Sequence, residues 1–338
     1  MEQFKGYVRS DGRVGLKNNV ICIATVMCAS AVVEGIAREV PEVIPVMHTD
    51  GCETRRVRTL YFTKTLENIC RHPNNYAVIL IGLGCERDNA KEIAERLSAE
   101  GVNIWARIIQ EDGGCQAIIK EGAAKARSFL SEAATLQPVS ISADRLVIGV
   151  ETADHIQSED PLCGRPCNTS ATEKAAAAAE GISQKLQELG ASVILPSVYG
   201  KKDRFKGNDI CSIRYADPVP AGKGYFAIDQ DGDRWKGRKD GVFNMDITES
   251  LLSMFASGAQ ALILSTGVSV PLGFPPAPLI KYSVEKDSLM EADVIGCTDP
   301  VHEIMEKLLR VSNGEPTYDE MHNSYNDLIC TYRRTNIY

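Results

Sequence analysis

Short apolar runs alternate with longer segments of helical periodicity over the first 130 residues of the chain. The apolar runs occupy residues 19–26, 43–47, 78–81 and 102–109, and the helix-patterned segments after them occupy residues 31–40, 55–70, 90–97 and 116–130. Short apolar runs rich in β-branched residues predict buried strands, whereas apolar residues spaced three and four apart predict helices. Alternating strands and helices in turn predict a parallel sheet covered by helices.

The periodicity is lost over residues 131–145, which contain Pro138, and this break predicts a domain boundary. We therefore expect a first α/β domain over residues 1–140 and a second over residues 145–338. In the second, strands are predicted at 146–150, 191–196, 261–264 and 292–295, and helices at 170–189, 247–257, 301–310 and 318–332. Residues 199–241 are rich in Gly, Lys and Asp and predict short hairpins at most. The expected fold is two α/β domains, each a mainly parallel sheet flanked by helices in Rossmann-like layers.

Side chains that carry chemistry follow the strands of the predicted first domain. They are Cys28, His48, Cys52, Cys85, Glu86, Gln110 and Cys115. Because the carboxyl ends of parallel strands share one edge, and ligands bind outside that edge, these residues are candidates to face a single crevice. Cys85 and Glu86 stand where the turn Gly82-Leu83-Gly84 leads into a helix. The unpaired N–H groups of such a junction favour negative charge.

Each of these positions also has a structural interpretation. A single cysteine is often a small buried hydrophobic residue, and this is the interpretation for Cys22, Cys70, Cys211, Cys297 and Cys330. Glu86 could complement the helix dipole, and Gln110 could fix its own loop. The pair Cys163 and Cys167 lacks a second pair at matching spacing, so it is a weak metal pattern. The Gly-x-Gly turn at residue 82 lacks the third glycine of a dinucleotide fingerprint, which argues against a nicotinamide enzyme.

Composition narrows the class of protein further. The formal charge of −8 and the pI near 5.3 argue against a nucleic-acid binder, which needs a strongly basic face. No apolar run approaches the roughly 20 residues that span a bilayer, and the start MEQFKGYVRSDGR has no signal-peptide core. We expect a cytoplasmic protein. The 11 cysteines are then reduced thiols that serve packing, metal binding or catalysis rather than disulfides.

Five motifs occur in order in the first half: GYVRSDGRVGLKNNV, TVMC ending at Cys28, HTDGC ending at Cys52, GLGCE ending at Glu86, and IQEDGG at residues 109–114. Together they resemble the altronate and galactarate dehydratase family, which includes the large subunit of sulfolactate sulfo-lyase. The second half resembles the carboxyl-terminal domain of that family at NMD ending at Asp246, STG ending at Gly267, and PLIK ending at Lys281.

The resemblance implies elimination of water, or of sulfite, from a small anionic hydroxy acid. Such a reaction needs a base, a proton donor or Lewis acid, and groups that hold the substrate carboxylate. The implied catalytic residues are His48, Glu86, Gln110 and Lys281. The implied substrate-binding residues are Arg9, Arg13, Asp246, Thr266 and Gly267. Cys28, Cys52 and Cys85 are the implied ligands of a divalent metal, with Fe²⁺ favoured over Mn²⁺ and Mg²⁺, and an iron–sulfur cluster as the alternative.

Two departures from the family pattern leave other functions open. Family members carry a small amino-terminal β-rich domain of the SAF type before the GYVRSDGR segment, so we expect that domain as a separate subunit or not at all. Residues 151–155 read ETADH where the family has a cysteine, paired glycines, serine and aspartate. A sulfolactate sulfo-lyase large subunit, or a catalytically degenerate subunit that binds a carboxylate or acts as a scaffold, are the alternatives to a dehydratase. We expect a homo-oligomer and no nucleic-acid or membrane partner.

Overall fold

A computed structural model of the protein describes residues 3–48, 50–52, 56–152, 169–195, 210–228, 247–267, 272–274, 276–286 and 291–322. The chain divides into two compact units. The first is formed by Gly6–Val139, and the second by the described residues before Gly6 and from Ser140 onward.

The first unit is built around a four-stranded parallel sheet. The elements in this part of the chain are β1 (Phe4–Val8), β2 (Val14–Gly15), β3 (Asn19–Ala24), α1 (Ser30–Glu39), β4 (Ile44–Val46), α2 (Arg56–Cys70), β5 (Asn75–Gly82), α3 (Ala90–Ala99), β6 (Ile104–Ile108) and α4 (Cys115–Ala133). The strand order in the sheet is β4-β3-β5-β6, and every pair is parallel. β1 pairs with β2 in antiparallel fashion, outside this sheet.

Both faces of this sheet are covered, which explains why its central strands are almost entirely apolar. On one face, Ile36 of α1 and Ile118 and Phe129 of α4 pack with Cys22 and Ile79 in one buried cluster. Each aliphatic or aromatic side chain buried in this way stabilises the fold by about 1.5–3 kcal/mol. Helix α3 begins at a specific cap, because the Asn89 side chain accepts hydrogen bonds from the first-turn backbone N–H groups.

Within its described residues, the second unit forms a seven-stranded sheet. Its elements are β7 (Val139–Ile141), β8 (Val147–Thr152), α5 (Thr169–Glu188), β9 (Ser192–Leu195), β10 (Ile210–Ile213), β11 (Gly224–Ile228), α6 (Ile247–Ala256), β12 (Ala261–Thr266), β13 (Leu279–Ser283), β14 (Val294–Ile295), α7 (Pro300–Ser312) and α8 (Tyr318–His322). The order is β10-β11-β9-β8-β12-β13-β14, with parallel pairing throughout.

In each sheet, the first strand of the parallel set lies between two later strands. β3 has β4 on one side and β5 on the other, and β8 lies between β9 and β12. The chain therefore adds later strands first on one side of this strand and then on the other. A crevice opens at the carboxyl ends of strands at such a switch point, and open α/β sheets bind ligands there.

The predicted fold class is confirmed, because both larger sheets are parallel and carry helices. The hairpins predicted within residues 199–241 are wrong for the part that is described. β10 and β11 pair in parallel, with Ile210 opposite Tyr225, whereas a hairpin joins antiparallel strands. Within the described ranges, no helix is both long and apolar enough to cross a membrane.

The cysteines assigned to packing differ in how far they are buried. Cys22 and Cys70 are buried, and burial raises the pKa of the Cys70 thiol to about 12. Cys211 is exposed, so the packing prediction is wrong there. It lies on β10, which among the described strands is the last of its sheet and has one neighbour, β11. Cys297 is partly exposed, and Cys330 lies outside the described residues.

Candidate active site

The loops after β3 and β4 are joined to each other at the carboxyl edge of the first sheet. The Met27 backbone N–H donates to the Asp50 carbonyl at 2.8 Å. Gly51 has a φ of +97°, and a Cβ at this position would lie 2.3 Å from the Thr25 carbonyl oxygen. The glycine of the HTDGC motif is therefore required by the close approach of two backbones.

The loops after β5 and β6 are joined in the same way. The Ile109 N–H donates to the Gly82 carbonyl at 2.9 Å, and the Gln110 N–H donates to the Leu83 carbonyl at 3.0 Å. The Gln110 side chain is exposed. The sheet edge thus holds the backbone of Gln110 in place and leaves its amide side chain at the surface.

Glu86 is held at the switch point between β3 and β5 by three hydrogen bonds. Its Oε1 accepts from the Thr25 hydroxyl at 2.7 Å and from the Leu83 N–H at 2.9 Å. Its Oε2 accepts from the Gly84 N–H at 2.7 Å. A Cβ on Gly82 would lie 2.5 Å from Oε1, so the absence of a side chain at residue 82 gives the carboxylate its position. Thr25 follows β3 and Glu86 follows β5, so this contact spans the switch point.

The charge state of Glu86 follows from these contacts. Partial burial acts to raise the pKa of Glu86, but the Gly84 N–H, the Thr25 hydroxyl and the other turn N–H groups outweigh it and lower the pKa. The side chain is therefore a carboxylate at neutral pH. A carboxylate oxygen accepts two hydrogen bonds readily, and Oε2 accepts one from the described residues. Glu86 thus has acceptor capacity left for a ligand.

His48 is buried against the same edge, with both ring nitrogens engaged. Nε2 lies 2.7 Å from the Ala24 carbonyl oxygen, and Nδ1 accepts from the Asp50 N–H at 3.2 Å. A carbonyl oxygen only accepts, so the contacts fix the neutral tautomer with the proton on Nε2. The ring also packs edge-to-face with Phe62 at 5.0 Å between centroids. In this arrangement, His48 fastens the loop after β4 to the end of β3.

The three cysteines predicted as metal ligands lie on three different strand-end loops. Cys28, Cys52 and Cys85 are all exposed, as is Cys115 at the start of α4. Among the described residues, no group of three or more His, Cys, Asp or Glu side chains is arranged to hold a metal ion. A metal site needs such a convergent ligand set. Within the described residues, the three thiols are not gathered into such a set, and the metal stays a prediction.

The two arginines predicted to hold substrate carboxylates differ in their surroundings. All three guanidinium nitrogens of Arg9 donate internally, to the Pro73 carbonyl, the Asn18 side chain and the Lys17 carbonyl. Burial lowers the pKa of Arg9 to about 10. Arg13 is exposed and pairs with Asp11 at 2.6 Å. In the described structure, Arg9 anchors the β1–β2 segment, and Arg13 presents its guanidinium at the surface.

The second unit contains Lys281 in a buried ionic cluster. Lys281 Nζ lies 2.7 Å from Asp319 Oδ1 and donates to the Leu272 carbonyl at 3.1 Å. The lysine is 3% exposed and the aspartate 2% exposed. Close by, Asp293 accepts from the Lys281 N–H, and Lys307 Nζ lies 3.3 Å from it. Lys281 therefore joins β13 to α8 as one partner of a buried ion pair.

We predict that the Asp319 carboxyl gives the second unit a pH-dependent stability. Burial raises the pKa of Asp319 to about 6, against the lowering effect of Lys281. A raised pKa means that the folded state binds the proton more tightly than the unfolded state. The contribution is complete below about pH 4 and is lost as the pH rises through about 6; its size is on the order of 3 kcal/mol.

Urea unfolding of the wild type and of Asp319→Asn between pH 4 and pH 7 measures this contribution. The free energy of unfolding of the wild type should fall relative to that of the variant as the pH rises, because asparagine cannot ionise. A difference between the two proteins that stays constant over this range would refute the prediction. Comparing the two proteins cancels the titration of the other carboxylates, which both share.

Of the remaining predicted residues of the second unit, Thr266 and Gly267 lie at the end of β12. Thr266 is buried, and its hydroxyl donates to the Tyr282 carbonyl at 3.2 Å. A Cβ on Gly267 would lie 3.3 Å from the Ala171 side chain at the start of α5. Glu151, the first residue of the ETADH segment, is buried and accepts from the Ser250 hydroxyl and the Thr152 N–H. Asp246 and residues 153–155 lie outside the described residues.

The sequence did not single out Thr25, whose hydroxyl contacts Glu86 in the structure. It lies in the TVMC motif, three residues before the predicted metal ligand Cys28. A threonine inside a buried strand end has no distinctive pattern, because β-branched residues are common there. The contact between Thr25 and Glu86 forms because β3 and β5 are neighbours in the sheet.

Comparison with known proteins identifies the type of the first unit. Residues 6–134 match the family model of the second domain of D-galactarate dehydratase/altronate hydrolase. The resemblance predicted from the motifs is therefore confirmed for this domain. The matched stretch contains the four parallel strands and all of the loops that surround Glu86.

Three characterised relatives show how far the similarity extends. Altronate dehydratase of Escherichia coli (strain K12) is 33% identical over 105 residues, which are 27% of this chain and 20% of the relative. Altronate dehydratase of Bacillus subtilis (strain 168) is 30% identical over 104 residues, 28% of this chain and 21% of the relative. The (2R)-sulfolactate sulfo-lyase subunit beta of Chromohalobacter salexigens is 25% identical over 207 residues, 61% of this chain and 48% of the relative. The chain thus aligns with less than half of each relative.

Proposed function

We propose that this protein, whose residues 6–134 match the second domain of D-galactarate dehydratase/altronate hydrolase, is a lyase that eliminates water from a sugar acid or related hydroxy acid such as altronate or galactarate. One observation carries the proposal. Two of the matched motifs, TVMC and GLGCE, meet in space and hold the Glu86 carboxylate at the switch point of a parallel sheet. This is the place where open α/β sheets bind small ligands.

The reaction requires a proton acceptor near the carbon next to the substrate carboxylate. Loss of that proton and of the neighbouring hydroxyl gives an enol, which rearranges to a 2-keto acid, so water is the only other product. Of the predicted catalytic residues in the first unit, Glu86 has an ionised oxygen with acceptor capacity left. The ring nitrogens of His48 are both engaged. We therefore assign the acceptor role to Glu86 Oε2 and a loop-fixing role to His48.

A second candidate function is elimination of sulfite from sulfolactate. It is favoured by the sulfo-lyase relative, whose 207 aligned residues make a longer stretch than residues 6–134 and must extend beyond the family match. That relative is named as one subunit of its enzyme. A multi-subunit arrangement supports the expectation that a small β-rich subunit acts together with this chain.

The predicted divalent metal remains a proposal. Fe²⁺ is the metal favoured by the resemblance, with Cys28, Cys52 and Cys85 as its ligands. These thiols are exposed on separate loops, and the described residues do not form a convergent ligand set. We therefore base the roles of Glu86 and His48 on protein groups alone. Metal analysis of anaerobically purified protein tests the metal independently of activity.

The expected result of a direct assay is formation of a 2-keto acid. Protein purified without oxygen and supplied with Fe²⁺ is incubated with altronate, galactarate or sulfolactate, with and without a small β-rich partner subunit. Carbonyl formation is followed as the semicarbazone, and sulfite is measured separately in the sulfolactate reaction. A keto acid without sulfite indicates a dehydratase, and stoichiometric sulfite indicates the sulfo-lyase.

Failure of all these reactions, in protein that is folded by circular dichroism, would refute both lyase functions. The remaining hypothesis would then be a subunit that binds a carboxylate or a partner without catalysis. Calorimetric titration with the same acids distinguishes the two cases, because a non-catalytic binding subunit releases or absorbs heat on binding but forms no product.

A further inference from the structure

The Thr25 side chain is buried at the end of β3, and its hydroxyl points at the Glu86 carboxylate. Thr25 is 0% exposed. Its Oγ1 lies 2.7 Å from Glu86 Oε1 and 3.4 Å from the Ile81 carbonyl oxygen. A hydrogen bond from a hydroxyl to a carboxylate is short and strong compared with one between neutral groups. The carboxylate is therefore the main acceptor of this hydroxyl.

The other two hydrogen bonds of Glu86 come from its own turn. Leu83 and Gly84 donate their backbone N–H groups, so these bonds tie the side chain only to the loop that carries it. The Thr25 hydroxyl is the donor that comes from a different strand, 61 residues away in sequence. It ties Glu86 to β3 and so fixes the carboxylate relative to the opposite wall of the switch point.

We propose that Thr25 is a positioning residue, which holds Glu86 so that Oε2 faces the crevice between the ends of β3 and β5. The assignment of a reaction step rests on the proposed lyase function, whereas the positioning itself does not. The backbone of Thr25 is held beside β5, because its N–H donates to the Ile81 carbonyl at 2.9 Å. The hydroxyl therefore acts from a fixed point, and displacement by even 1 Å of a group that acts on substrate is costly for catalysis.

Two substitutions separate the hydroxyl from the shape of the side chain. Thr25→Val keeps the shape and removes the donor, whereas Thr25→Ser keeps the donor and removes a methyl group. We expect kcat of Thr25→Val to fall roughly tenfold or more, with KM nearly unchanged, since the lost hydrogen bond acts on a charged group. Thr25→Ser should retain kcat within about threefold. Thr65→Val, which alters another buried threonine of the first unit, should leave kcat unchanged.

An unchanged kcat in Thr25→Val would overturn the proposal. An equal loss in the valine and serine variants would overturn it too, because it would assign the effect to packing of the methyl group.

Crystal structures of the two variants test the positioning without any activity. If the lyase assays fail for the wild type, the proposed function is lost, but the geometry can still be examined. The Glu86 carboxylate should leave its place beside residue 25 in Thr25→Val and keep it in Thr25→Ser. A carboxylate in the same position in both structures would show that the turn amides suffice, and that Thr25 positions nothing.

Discussion

Replacing Glu86 with glutamine is expected to lower kcat/KM for elimination by ~10²-fold or more, the usual effect of removing a group that transfers a proton. The same change should lower the free energy of unfolding by roughly 2 kcal/mol. Both oxygens of Glu86 accept backbone N–H groups, from Leu83 on one side and Gly84 on the other. A glutamine amide has only one oxygen, so its NH₂ group must face one of these donors in either orientation.

The crowding around the carboxylate makes this clash hard to relieve. Glu86 Oε1 lies 2.5 Å from the place where a Cβ on Gly82 would be, so the side chain fills the space above the turn. Urea unfolding and steady-state kinetics of Glu86→Gln measure the two effects. Glu95→Gln, on the exposed face of α3, is the matched control and should change neither quantity. A variant as stable and as active as the wild type would remove Glu86 from the site.

The parallel sheets could be predicted because their strands are buried on both faces. Such strands are nearly continuous apolar runs, and the predicted run at residues 19–26 corresponds to β3, Asn19–Ala24. The short strands of the second unit were harder to predict from the sequence. β10 and β11 lie in a region rich in glycine and charge, and their parallel pairing depends on partners distant in sequence. The local pattern of apolar and polar residues does not indicate which strands pair.

The place of Glu86 could be predicted from the sequence, but its bonding could not. A carboxylate between a glycine turn and a helix is recognisable from a short window, and the order of strands then assigns it to the sheet edge. The Thr25 contact comes from a strand 61 residues earlier, and it depends on β3 and β5 being neighbours. Which strands are neighbours is a property of the whole sheet and cannot be inferred from either motif alone.

Charged residues were the least predictable class. Arg9 and Lys281 have the chemistry to hold a carboxylate. Arg9 lies in the stretch that matches the family model, whereas the motif of Lys281 was assigned by resemblance alone. In the described structure, Arg9 donates to two backbone carbonyls and Asn18, and Lys281 pairs with Asp319. A buried cation needs internal acceptors to offset its loss of hydration. A single sequence does not tell whether those acceptors come from the protein or from a substrate.

Replacing Lys281 with methionine is expected to lower the free energy of unfolding by about 3–5 kcal/mol at pH 7–8. The pair with Asp319 is almost fully buried, at 3% and 2% exposure, so removal of the lysine leaves a carboxylate without its cation in a medium of low polarity. Methionine has nearly the same length and fills the same space, so the loss is electrostatic rather than a cavity. The Leu272 carbonyl also loses its donor.

A double-mutant cycle distinguishes the ion pair from general sensitivity of the site. Lys281→Met with Asp319→Leu removes both charges, and this variant should regain much of the stability, because replacing a buried pair by apolar groups is often neutral. Lys185→Met is the surface control. Its partner Glu188 is 57% exposed, and the pair should contribute less than about 1 kcal/mol.

The pH dependence of the single variant provides the decisive measurement. Without Lys281, nothing in the pair lowers the pKa of Asp319, so the carboxyl should take up a proton and the loss should be smaller at pH 5 than at pH 8. A loss that is the same at both pH values, or a double variant no more stable than Lys281→Met, would mean that the lysine stabilises the second unit through packing. Because only the ion-pair interpretation predicts a pH-dependent loss and a rescue by the second substitution, the cycle decides between the two interpretations even if Lys281 also contacts a substrate.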